Sequence, residues 1–340
     1  MSTLNEKWLL VSCLQKSIRK GFENSACVYA GNLYELDKNY LIHKLGTVLL
    51  EDIFLSDIDL INEFFIYANH KNHKKIDIIN FIKRFSQSVK DRTAYDIIEI
   101  TKIKNVKEYQ SPEKILNDKN AVIIDKFQSA KQILNDYNVK NPLNSNDYNI
   151  EKLLNEFDIS SNSKIVETIK NIYINNKDSN FLLLGFLEKS YENEKNQVLG
   201  KFKTGDIIEY NPKEELINNK WLLDGIDWHT KEGKSAIQDF LKENTELKNY
   251  LIEIKPTSEF DIIIGLLLFK IIGQEVNKRL FYPTAVMASK LSKKLEIEKI
   301  IGHKNFEQEE LINLFNKNYD ILKKLIKEKF VMPDPDSFPF

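Results

Sequence analysis

The chain has 340 residues, 42% of them apolar and 29% charged, a composition that can bury a core and excludes disorder of the whole chain. Basic and acidic residues nearly balance, 49 against 50, for a formal net charge of −1. No overall field therefore draws nucleic acid or an anionic membrane, and any DNA contact has to use a local patch.

Trp8, Val11, Leu14 and Ile18 recur at helical spacing until Gly21, which predicts a first helix. The same pattern predicts helices over 24–36, 40–53 and 57–68. A basic turn, NHKNHKK at 69–75, leads to two more, IDIINFIKRFSQSV and RTAYDIIEI. Short turns between such helices predict antiparallel neighbours in a compact helical domain. From 103 to 150 the pattern weakens to one helix at 122–136, followed by the linker-like NVKNPLNSNDYN. Beyond it the chain is again mainly helical, and only GKFKTGDIIEY at 200–210 resembles a strand pair or turn. The apolar run at 260–272 is interrupted by Gly265 and Lys270; it falls short of the ~20 residues that span a bilayer and reads as a buried core helix. The expected organisation is mostly α, with a helical domain at 1–138, a linker at 139–150, a second, mainly helical domain at 151–330 and an extended acidic-aromatic tail at 331–340.

Cys13 and Cys27 fall on successive expected helices. With no signal peptide or Cys-rich framework they read as reduced thiols, which points to the cytoplasm, and no membrane partner is expected. The tail, MPDPDSFPF, carries Pro333 and Pro335, which forbid helix and favour an extended segment. Phe338 and Phe340 then need a partner's pocket to bury them.

Four stretches in the first hundred residues resemble, in order, the C-terminal region of the RarA/MgsA family of replication-associated AAA+ ATPases. LVSCLQKSIRKG at 10–21 is similar to the family's S-A-L-H-K-S-I-R-G helix, and SACVYAGNLYE at 25–35 to its A-L-Y-W-L-A-R-M helix. TVLLEDIFLSD at 47–57 resembles its A-S-E-D-I-G-L-A-D-P turn, and SVKDRTAYDII at 88–98 its A-P-K-S-N-S-A-Y-L-A-I segment. Gln15 stands where the family often has His, Phe54 where it has Gly, and Asp91-Arg92 where it has Ser-Asn. The resemblance implies a fold like the helical collar of clamp loaders and a self-associating homo-oligomer. The ATPase half is missing: the only GKS, at Gly233-Lys234-Ser235, is separated from Gly225 by seven residues, where a phosphate-cradling loop needs four. The tip of the chain resembles the acidic, Ile-Pro-Phe-ending tail of bacterial single-stranded DNA-binding proteins, with Asp334 and Asp336 before Phe338-Pro339-Phe340. That similarity implies binding to replication and repair proteins that read such tails.

Candidate DNA-contacting residues are Lys16, Arg19 and Lys20 on the first helix, Lys71, Lys74 and Lys75 in the basic turn, and Lys90 and Arg92. The structural alternative pairs Lys16 or Arg19 with Glu51 or Asp52, because a carboxylate among apolar residues needs a partner. His70 and His73 have ligand-like spacing, but the surrounding lysines oppose a cation, so no metal or other cofactor is expected. Asp227, His229 and Lys234, in DGIDWHTKEGKSA, could do acid–base work, while Thr230 also fits a helix N-cap. The mixture of Phe281, Tyr282 and lysines at 279–304 suits a single-strand binder or an amphipathic helix equally. The leading expectation is a non-enzymatic accessory protein of DNA replication or repair, of phage or other mobile-element type, that binds single-stranded DNA and recruits host proteins through its tip. The alternatives are an enzyme acting on nucleic acid or nucleotide through Asp227, His229 and Lys234, and a protein-only clamp-loader-like scaffold.

Overall fold

A computed structural model of the chain describes residues 3–103, 109–118, 120–140, 163–176, 182–254, 259–301 and 308–330. The fold is mostly α. Helix α1 (Thr3–Lys20) buries Leu9, Leu10, Cys13, Leu14 and Ile18 and leaves Trp8 exposed. It turns at Gly21 (φ +76), where a Cβ would overlap the side chain of Asn277, and packs along α2 (Glu23–Val48). The two helices expected at 24–36 and 40–53 are one element with a break at Asp37, whose carboxylate accepts the Tyr40 N–H and restarts the helix. A π-helical turn (Leu49–Ile53) and a short 3-10 turn (Phe54–Asp57) follow. Asp57 then caps α3 (Ile58–Ala68) by accepting from the Leu60 N–H, and α4 (Lys75–Gln87) and α5 (Thr93–Ile103) complete this half.

Helices α6 (Pro112–Asn117) and α7 (Ile123–Lys140) pack on each other, and α8 (Ser163–Asn176) lies on α3. Helix α9 (Leu182–Asn193) leads into a hairpin of β1 (Val198–Leu199) and β2 (Phe202–Lys203). The expected strand region at 200–210 thus holds β2 and β3 (Ile207–Glu209), but β3 pairs with the distant β6 (Lys278–Leu280) instead of with its neighbour. A second hairpin joins β4 (Leu216–Ile217) to β5 (Trp221–Leu222). Helices α10 (Lys231–Glu243), α11 (Thr245–Ile254), α12 (Phe260–Leu267), α13 (Pro283–Ile301) and α14 (Gln308–Glu328) finish the described chain. Between α12 and β6 the apolar run ends in a second π-helical turn, Leu268–Ile272.

The expected linker runs mostly outside the described residues, but the two sides of it are not separate in space. Helix α13 packs on α5, α8 on α3, and the 3-10 turn Leu223–Gly225 on α1. One contiguous cluster of buried apolar residues runs from Leu9 to Phe330. Gly225 lies against Cys13, where a Cβ would meet the sulfur. Among the described residues no helix is long and apolar enough to cross a membrane.

Candidate functional site

The last turns of α1 carry Lys16, Arg19 and Lys20, and all three side chains are buried. Each finds its counter-charge far along the chain. Lys16 pairs with Asp227. Lys20 donates to Asp224 at 2.5 Å and to Glu275 at 2.8 Å. Arg19 donates through Nε to Asp52 at 2.9 Å and through Nη1 to the Gly273 carbonyl that ends the second π turn.

Asp52 is fully buried and sits between two arginines, Arg19 and Arg92. The π turn places it there by crowding an extra residue into the helix and rolling Glu51 and Asp52 toward α1. Burial pushes the Asp52 carboxyl up, but the two guanidiniums outweigh it and hold it below the usual carboxylate range. Glu51 accepts from Gln15 at 2.8 Å; burial and the neighbouring Asp52 charge keep its carboxyl raised against the pull of Arg92 and Arg19. Phe54, directly after the turn, takes φ +40 with its ring buried, a backbone state that favours glycine.

The segment before α5 continues the seam. Lys90 is completely buried and donates to the carbonyls of Phe85 (2.8 Å), Ser86 (3.3 Å) and Ser88 at the end of α4. Burial lowers it to about 7, against the pull of Asp52. Its backbone bridges to β6: the Lys90 N–H donates to Lys278 and its carbonyl accepts from Leu280. Asp91 accepts from the Thr93 backbone and hydroxyl and from the Tyr191 hydroxyl, and burial raises its carboxyl. Lys270 pairs with Glu296 and donates to the Tyr95 hydroxyl.

Five of the eight nominated DNA contacts, Lys16, Arg19, Lys20, Lys90 and Arg92, are therefore interior groups with partners, and no DNA strand reaches them. That corrects the surface reading of these residues; the Arg19–Asp52 pairing expected as its alternative is present. Lys71, Lys74 and Lys75 are exposed, and Lys75 is neutralised by Glu35 at 2.6 Å. Tyr282 stacks on Tyr191 at 3.7 Å and Phe281 is buried, so neither is free to stack on a base. Asp334, Asp336, Phe338, Pro339 and Phe340 lie outside the described residues.

The segment around Asp227 is a helix cap. Asp227 turns one oxygen to Lys16 and the other to the His229 backbone N–H, not to its ring. Burial pushes Asp227 up, yet Lys16 prevails and holds it low. Thr230 accepts from the Gly233 N–H as the N-cap of α10, and a Cβ at Gly233 would stand 2.0 Å from the Asp227 carbonyl oxygen. The His229 ring meets Phe269 edge-on, and Lys234 lies over the Trp228 ring at 5.0 Å. The three residues of the enzyme reading thus do not converge on a shared reacting atom. Nor does His73 join His70 in a ligand set: its ring leans on Tyr67. Among the described residues no three His, Cys, Asp or Glu side chains are placed to hold a metal ion.

Sequence reasoning misses Lys270, Glu275 and Glu296 as members of the seam. The signal was a lysine inside an apolar run, since a buried ammonium demands a carboxylate. No family model matches the chain, and no curated protein or solved structure matches it.

Proposed function

We propose that the chain is a non-enzymatic accessory protein of DNA replication or repair. Its rigid helical body presents the basic turn at 69–75 to single-stranded DNA and the acidic-aromatic segment at 334–340 to partner proteins. One observation carries the reading: Asp227, the carboxylate of the enzyme reading, is buried and paired with Lys16, one of the ion pairs that hold α1 to the rest of the molecule. A catalytic acid or base needs access to substrate and a proton to exchange, and Asp227 has neither. The resemblance to the RarA/MgsA collar adds support, because three of its four stretches meet at Asp52 through Arg19 and Arg92, and Phe54 takes a glycine-like φ where that family has glycine.

The test is to incubate the purified protein with ATP and with labelled single-stranded and duplex DNA, and to titrate the labelled single strand at two salt concentrations with and without residues 334–340. The reading expects no turnover and salt-sensitive binding that survives removal of the segment. Turnover of any of these substrates that disappears in His229→Ala would overturn it in favour of an enzyme.

A further inference from the structure

The β1–β2 hairpin is unlike the rest of the surface. Val198 lies opposite Lys203 and Leu199 opposite Phe202. Gly200, at φ +62 with open space around it, makes the turn with Lys201, and the Thr204 N–H donates to the Gln197 carbonyl to close the ladder. The root is fixed: Phe202 rests on Phe281 at 5.4 Å, and the Gly205 N–H and Asp206 carbonyl pair with the Phe281 backbone. From Lys195 to Lys203 only Phe202 is sheltered, while Val198 is 66% and Leu199 51% exposed.

Charge narrows what can cover this ribbon. Residues 195–205 hold three lysines and no acid, with Glu194 and Asp206 flanking them at the root; the Asp206 carboxylate accepts from the Lys203 backbone N–H at 2.7 Å, and among the described residues the ammonium groups of Lys195, Lys201 and Lys203 pair with no carboxylate. A second copy of the chain would bring the same lysines face to face across a two-fold axis, a repulsion that opposes self-pairing. An anionic partner is attracted instead. Two strands about 4.8 Å apart make a ribbon that enters the DNA major groove, which is about 12 Å wide and flanked by phosphates. Aliphatic residues at such a tip contact base edges or thymine methyls, or wedge between base steps.

We propose that the β1–β2 hairpin is a duplex-DNA contact, with Val198, on the face turned away from Phe281, entering the groove, Leu199 at its edge, and Lys195, Lys201 and Lys203 on the bordering phosphates. It rests on the reading that the protein works on DNA and adds a duplex element to the single-strand surface at 69–75.

The test is fluorescence anisotropy of a short labelled duplex, and of one of its strands, across a salt series. The proteins are wild type, Lys195→Gln/Lys201→Gln/Lys203→Gln and Val198→Ser/Leu199→Ser, with Lys213→Gln/Lys324→Gln, exposed and outside both proposed DNA surfaces, as control. All changes are at exposed positions, and circular dichroism checks folding. The triple variant is expected to lose at least about tenfold in duplex affinity at low salt and to flatten the log–log salt slope by about 2.7, three phosphate contacts at about 0.9 each. The double serine variant is expected to lose duplex affinity with the slope retained, and the control to bind duplex as wild type does. Duplex binding unchanged in the triple variant overturns the proposal. Wild type binding the single strand and not the duplex also overturns it and leaves the functional reading standing; binding to neither removes both. Lysine-dependent binding to vesicles of anionic lipid in place of duplex, or loss of an oligomer in the serine variant with duplex binding unaltered, assigns the hairpin to a membrane or to a second copy and overturns it as well.

Discussion

Replacing Asp52 with Ala would leave Arg19 and Arg92 facing each other in the interior without the carboxylate that bridges them. The expected cost is about 3–5 kcal/mol, the usual range for an uncompensated buried charge, read as a drop in urea midpoint. Asp227→Ala should behave alike by stranding Lys16, whereas a paired Lys16→Met/Asp227→Leu change should recover much of that loss, because two apolar groups need no solvation. Lys90 gives a pH signature. Its folded value, about 7, lies below the ordinary lysine value of about 10.4. The folded state therefore binds fewer protons between the two, and stability rises with pH across that window, the gain complete above it and absent below about 7. Urea midpoints should climb between about pH 7 and 10 more steeply in wild type than in Lys90→Met; parallel slopes would show that Lys90 stays charged throughout. Among the thiols, burial pushes Cys13 up to about 12, while Cys27 is only half-buried. A thiol reagent should label Cys27 in the folded protein and reach Cys13 only on unfolding. At this scale the sequence is half legible. That an acid among apolar residues needs Arg19 can be read from α1 and the turn near it, but Lys16 finds Asp227 211 residues away, and no local pattern carries that distance.

Helices are the elements the sequence announces, because a 3.6-residue period repeated over three turns or more outweighs accident. Even the break within α2 is visible as polar residues between two apolar stripes, with Asp37 in place to restart the helix. Of the strands only the region of β2 and β3 is visible, and their partners are not. The strands run two or three residues each, too short to show alternation, and β6 meets β3 only because the seam has already brought the two halves together. The cap of α10 supports a sharper prediction. Thr230→Ala removes one side-chain acceptor and should cost about 1 kcal/mol. Gly233→Ala should cost more, since its methyl group would collide with the Asp227 carbonyl and pull Asp227 off Lys16. Thermal melts of the two variants should rank them in that order; equal shifts would mean that the Asp227 turn is compliant.

For the molecule as a whole, the linker-like composition after 136 marks a change in the chain and not a change of core. Apolar residues and ion pairs cross between the halves, so heat or urea should unfold them in one transition, coincident by tryptophan fluorescence and by circular dichroism. Two separated transitions would restore the picture of independent domains. A fragment ending at residue 138 should fail to fold alone, because Lys16, Arg19 and Lys20 would lose Asp227, the Gly273 carbonyl and Asp224. The same arrangement sets a clock on biosynthesis. A ribosome adding about 5–20 residues per second needs about 10–40 s to travel from Lys16 to Asp227. For almost all of that interval the nascent α1 carries Lys16 and Lys20 without Asp227 and Asp224, so this part of the seam closes only after most of the chain has been made.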